Sequence, residues 1–143
     1  MHKVFGAKEH ALYTDREGAY LIPVQNGKIG VVQTEKGYFL LGGGLNEGES
    51  KEDCIRRECL EEIGYAVVIH YELCSAESYC EHPEIGHFHP IQTYFVGELS
   101  EKIQQPTETN HTLVWLDLHE AHGKLYPEMQ NWAVKKLLET VNR

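Results

Sequence analysis

Glu58, Glu61 and Glu62 put three carboxylates within two turns of one another, directly after Arg57. On a helix they fall on one arc, at i, i+3 and i+4, and face a single point. Like charges so placed destabilise an exposed helix by about a few tenths of a kcal/mol, and they repel more strongly as the site dries. Arg57 offsets one of them. A hard divalent cation, Mg²⁺ or Mn²⁺, would offset the rest, because such ions favour carboxylate, carbonyl and water oxygens. The competing reading is a solvated acidic face with no ligand.

The elements that must hold these side chains are marked locally. Ser50 is a favourable N-cap, and Asp53 three residues on completes a capping box. Glu49, Glu52 and Asp53 stand where the helix dipole favours anions, and Gly64 supplies the stop. Ile55, Cys59, Leu60 and Ile63 form the packing arc beside the acidic one. Ahead of the helix, Gly42, Gly43 and Gly44 lead into a bend at Asn46-Glu47-Gly48.

From Gly43 to Tyr65 the spacing resembles the signature of the Nudix hydrolases (MutT-like proteins). That signature is a glycine, five residues, a glutamate, seven residues, then Arg-Glu-bulky-any-Glu-Glu-any-Gly-bulky. Gly43, Glu49, Arg57, Glu58, Glu61, Glu62 and Gly64 take its fixed places, and Cys59 and Tyr65 its bulky ones. The flanks are similar as well: Arg16 to Leu41 resembles the usual approach to the box, and Trp115 to Ala121 the strand and short helix near the family's C-terminus. Leu41 and Asn46 depart from the proline and glutamate that many members carry, which bears on loop stiffness and substrate fit rather than on metal chemistry.

The resemblance implies an α/β/α sandwich with a mixed sheet. It also implies divalent-metal-dependent hydrolysis of a nucleoside diphosphate linked to a moiety X. Carried over residue by residue, Glu58 and Glu62 are direct metal ligands, and Glu61 is a further ligand or the general base. The Gly43 carbonyl completes the inner shell, and Arg57 orients the carboxylates by a bidentate contact that lysine does not reproduce. Glu49 holds Arg57 or reaches a metal through water. A general base outside the box has three candidates, Glu81, Glu84 and Glu108. The marks of the ADP-ribose, dinucleoside polyphosphate and coenzyme A subfamilies are absent or offset. A nucleoside triphosphate or modified nucleotide is therefore the first choice of substrate, ahead of a nucleotide sugar or dinucleotide. The alternative is a module that binds nucleotide without hydrolysing it; such modules commonly lose box carboxylates, which this chain keeps.

The 143 residues are expected to form one domain, with hydrophobic (41%) and charged (24%) contents ordinary for a globular protein. A formal net charge of −9 argues against a duplex-binding surface, which depends on Lys and Arg neutralising phosphates. The expected partner is a small nucleotide-type molecule, with no membrane and with the protein as monomer or homodimer. No apolar run reaches the length of a membrane span, and MHKVFGAKEHA lacks a signal-peptide apolar core. Cys54, Cys59, Cys74 and Cys80 make no C-x-x-C pair and read as reduced thiols of a cytoplasmic protein.

Along the chain, Ala19 to Gln25 and Lys28 to Thr34 read as strands joined by Asn26-Gly27, a strong hairpin signal. Gly37 to Leu41 is a third short strand. Ala66 to Ser75 reads as a long strand with Val67, Ile69, Tyr71 and Leu73 on one side. Glu77 to Pro90 reads as a loop or hairpin tip, a lid over the substrate, carrying Cys80, His82, His87 and His89 at none of the common zinc spacings. Ile91 to Leu99 and Thr112 to Leu116 are strands. Asp117 caps a short helix, and Pro127 opens a last one with Met129, Trp132, Ala133, Leu137 and Val141 as its stripe.

Overall fold

The computed structural model describes residues 1–141. The order of elements is β1 (His2–Phe5), β2 (Thr14–Gln25), β3 (Lys28–Thr34), β4 (Gly37–Phe39), β5 (Leu41–Gly44), α1 (Lys51–Ile63), β6 (Tyr65–Ser78), β7 (Cys80–His82), β8 (Gly86–Lys102), β9 (Thr112–Asp117), α2 (Leu118–Ala121) and α3 (Glu128–Val141). The fold is the expected single domain of a mixed sheet and a few helices: β1 with β6 and β2 with β8 run parallel, and all other pairs antiparallel.

Asn26 (φ 54°) and Gly27 (φ 75°) make the tight turn that their dipeptide calls for. The hairpin it closes is short, because only Val24↔Ile29 and Gln25↔Lys28 pair. The next position on the ladder needs an N–H from residue 23, and Pro23 has none. β2 and β3 therefore splay apart. β2 lies between β8 and β5, whereas β3 lies between β4 and β9. A cleft opens where they part.

Alternation along β2 sends Leu21 to one layer and Ile22 to the other. Leu21, Ala19, Leu41 and Phe95 pack under Cys54, Ile55, Cys59 and Ile63 of α1. Ile22, Tyr94, Val96, Cys74 and Ala76 pack under Met129, Ala133, Val134 and Leu137 of α3.

Several sequence expectations change here. β6 runs from Tyr65 to Ser78 with register shifts between Tyr65/Val67, Ile69/Tyr71 and Glu72/Cys74, so strict alternation fails and Tyr71 is exposed. Of the two readings of Glu77–Pro90, the hairpin tip is the one found: β7 and the start of β8 form an antiparallel ribbon, and β8 continues through Lys102. On α3, Val134 and Gln130 are buried, while Val141 is exposed at the last described turn. On α1, Cys54 joins the buried arc, and Leu60 is only half-buried.

Gln130 is the polar tie between α3 and the approach to the glycine loop. It is 3% exposed, and its Oε1 accepts the Leu40 N–H at 2.7 Å. Gln130→Ala leaves that N–H without its partner and is expected to lower unfolding stability by about 1–3 kcal/mol. Urea titration of the two proteins measures it; an unchanged midpoint would show that Gln130 does not secure this junction.

Candidate active site

The loop between β5 and α1 is closed by its own side chains. Asn46 and Glu49 hold each other, the Glu49 N–H donating to the Asn46 carbonyl (3.0 Å) and the Asn46 N–H to Glu49 Oε1 (2.9 Å). Ser50 caps α1 as expected, its Oγ accepting the Asp53 N–H at 3.1 Å. The return half of the capping box does not form, because the Asp53 carboxylate instead takes the Arg56 guanidinium at 3.0 Å. At the other end Gly64 adopts the left-handed conformation (φ 76°), and its N–H reaches the Cys59 and Leu60 carbonyls.

Arg57 ties the loop to the helix. Its Nε and Nη2 donate to the two oxygens of Glu49 at 2.8 and 2.9 Å, and Nη2 also donates to the Gly44 carbonyl at 3.1 Å. Nη1 donates to Glu58 at 2.8 Å and to Glu61 at 3.3 Å. The hydrogen bond from Arg57, followed by that from the Asn46 N–H, holds the Glu49 carboxyl down at about 2. Arg57 in turn is held well above its ordinary range, chiefly by Glu49.

Glu62 does not share the solvated arc of its neighbours. It is 6% exposed, and its Oε1 accepts the Gly42 N–H at 2.9 Å. Burial pushes its carboxyl up to about 8; the Gly42 N–H opposes that rise, and the charges of Glu58, Glu108 and Glu61 add to it. Glu58 is also raised, burial leading and Arg57 opposing. The Glu58 carboxylate packs against Gly43, where a Cβ would stand 2.8 Å from it. The Gly43 carbonyl accepts the Cys54 thiol at 3.4 Å, and burial pushes that thiol up to about 11, so it remains a donor.

This donor set suits a hard divalent cation. Carboxylates of Glu58, Glu61 and Glu62 and the Gly43 carbonyl offer only oxygen, and two of the acids are held in surroundings that oppose their ionisation. Among the described residues, no three His, Cys, Asp or Glu side chains close a ligand cage on their own. An Mg²⁺-type site that keeps water or substrate oxygens in its shell needs no such cage.

Other candidates separate clearly. The Glu61 carbonyl accepts the N–H groups of Thr107 (2.9 Å) and Glu108 (3.0 Å), which draws Glu108 to the box; its charge acts on both Glu58 and Glu62. Glu81 instead pairs with His87 in the β7–β8 ribbon, and Glu84 lies in its turn. The ribbon histidines are used locally. His89 bridges Asp15 and Glu77, both at 2.8 Å, with the Tyr79 ring stacked on it at 4.3 Å. The His82 ring accepts the Glu84 and Ile85 N–H groups.

Beside Glu62 lies a cleft of about 400 Å³, lined among others by Tyr20, Phe39, Gly42, Gln92 and His111. His111 brings Nε2 to 3.8 Å from Glu62 Oε2. Sequence reasoning missed Tyr20, Gln92 and His111. They come from β2, β8 and the start of the approach to β9, and no spacing links them.

Comparison with known proteins agrees with this geometry. The NUDIX domain family model matches residues 11–139. A MutT NUDIX hydrolase from Burkholderia pseudomallei superposes with a TM-score of 0.72 at 20% identity, covering 87% of this chain and 98% of the other. The E. coli ORF135 protein (TM-score 0.72, 18% identity, 90% and 92% covered) has the same fold. So does a NUDIX hydrolase from Nitrosomonas europaea (TM-score 0.72, 17% identity, 89% and 90% covered). No curated protein sequence matches the chain. With its complete box carried on the loop and helix that the fold requires, and the family model spanning nearly all of it, the chain belongs to the Nudix hydrolase family.

Proposed function

We propose that this chain hydrolyses a phosphoanhydride bond in a nucleoside diphosphate linked to a moiety X, using Mg²⁺ or Mn²⁺. A nucleoside triphosphate or modified nucleotide is the first choice of substrate. The observation that carries the reading is the buried Glu62 carboxylate, held by the Gly42 N–H and lining a cleft large enough for a nucleoside, with the Glu58 carboxylate packed against the adjoining Gly43. Glu58, Glu62 and the Gly43 carbonyl would hold the cation, with Glu61 as a further ligand or base. When bound, it supplies charge neutralisation at the phosphate oxygens and makes water more acidic.

The chain's own residues do the rest. Glu49 fixes Arg57, and Arg57 fixes Glu58 and Glu61, so the carboxylates are oriented before substrate arrives. In the reaction a water oxygen bonds to phosphorus and the bridging P–O bond breaks. The bond's electron pair leaves with the departing phosphate, and a carboxylate takes the water's proton. Glu61 and Glu108 are the assigned base candidates, since Glu81 and Glu84 belong to the ribbon. The proposed setting is the cytoplasm, with no membrane or duplex partner. No helix among the described residues is long and apolar enough to cross a membrane.

Glu58→Gln and Glu62→Gln are each expected to lower turnover at saturating Mg²⁺ by about a hundredfold or more, with circular dichroism unchanged. A phosphate-release screen over nucleotides with an EDTA control measures this. Near-full activity in either variant would remove the metal assignment.

A second expectation concerns pH. Glu62 titrates at about 8 in the folded chain and near the ordinary carboxylate value when unfolded. Between those values the folded state holds the extra proton, so its stabilising contribution is complete at low pH and is lost as pH rises through about 8. In EDTA the melting temperature should fall from pH 5 to pH 8, and Glu62→Gln should flatten that slope. Apparent Mg²⁺ affinity should tighten over the same interval as the carboxyl gives up its proton. Thermal melts at several pH values decide it; equal slopes for wild type and variant would refute the assignment.

A further inference from the structure

Two neighbouring glycines each make room for a charged side chain, and only one of those chains has an explained role. Gly43 accommodates the Glu58 carboxylate. At Gly44, a Cβ would collide with the Nε, Cζ and Nη2 atoms of Arg16. Gly44 does not have a positive φ, so its backbone makes no demand for glycine. The Arg16 guanidinium lies directly over the Gly44 backbone, where a side chain would stand.

Arg16 differs from the other guanidinium at this loop. Arg57 has all five N–H donors committed, to Glu49 twice, Gly44, Glu58 and Glu61. It has none left for a ligand. Arg16 is exposed and, among the described residues, makes no salt bridge. Among the described arginines it alone has no carboxylate partner, Arg56 and Arg57 both being paired. Strand alternation puts Arg16, Gly18 and Tyr20 on one face of β2, and Tyr20 lines the cleft. The Tyr20 hydroxyl feels Glu62, Glu58 and Arg16 together, so the cation belongs to the same electrostatic neighbourhood as the carboxylates.

We infer that Arg16, lying over Gly44 on the β2 face that carries the cleft-lining Tyr20, is a phosphate-binding residue. It grips a substrate phosphate by a two-pronged guanidinium contact while the nucleoside lies toward Tyr20. This rests on the proposed reaction and adds to it the residue that selects a polyphosphate. A planar fork with free donors matches phosphate oxygens, and water-facing placement lets it engage without breaking an existing ion pair.

Calorimetric binding of a nucleoside triphosphate, with Ca²⁺ in place of Mg²⁺, tests this apart from turnover. Arg16→Ala should weaken binding by about 10- to 100-fold while leaving the melting temperature and Mn²⁺ affinity unchanged. Arg16→Lys should recover only part of the loss. Gly44→Ala should displace the guanidinium and also weaken binding, and the double variant R16A/G44A should bind no more weakly than R16A. Wild-type-like binding by R16A, additive losses in the double variant, or no binding by the wild type would overturn the inference. Binding that depends on Arg16 without metal-dependent phosphate release by the wild type would sink the hydrolase reading and leave this one standing.

Discussion

One guanidinium joins the loop and helix that make this protein a Nudix hydrolase. Arg57 reaches back to Glu49 and the Gly44 carbonyl and across to Glu58 and Glu61. Each of its donors therefore fixes either the path of the loop or the aim of a carboxylate. Without such a hub, acids at i, i+3 and i+4 would spread apart to lower their repulsion. With it, their geometry is set within a protein whose overall charge would otherwise oppose gathering more negative groups.

Around that hub, burial gives the box carboxylates different characters. Glu49 is held strongly acidic by direct hydrogen bonds from Arg57 and Asn46. Glu62, which accepts a hydrogen bond from the Gly42 N–H, is driven the other way by desolvation. The same residue type thus serves as a fixed anion that orients its neighbours and as a buried carboxyl held toward its protonated form. The three glycines meet different side chains: the Gly42 N–H donates to Glu62, Glu58 packs against Gly43, and Arg16 lies over Gly44.

The cleft has a separate cause. Pro23 ends the β2–β3 ladder after two pairs, and the strands diverge into different pairings. Tyr20 and Gln92 face the opening from one side and Phe39 from the other, beside Glu62. Gln130 links α3 to Leu40 at its floor. The chemistry of the box and the shape of the cleft thus arise from different parts of the chain that meet at Gly42.

The sequence alone determined the box, its helix with both ends, the Asn26-Gly27 turn and the layered α/β architecture. The first three are local, specified by a cap, a period or a spacing, while the architecture follows from the order of the elements and the family resemblance. It also named Glu108, though without separating it from Glu81 and Glu84, since only the contact of its backbone with Glu61 brings it near. Tertiary structure decided that Glu62 is buried while Glu61 is not, because that follows from which side of α1 faces β5. It turned the histidine segment into a ribbon whose His89 is tied to Asp15 of β2 and Glu77 of β6, and it shifted the faces of β6 by bulges that alternation does not register. It alone set Arg16 on Gly44 and His111 beside Glu62, contacts between residues far apart in the chain, where no local preference carries the information.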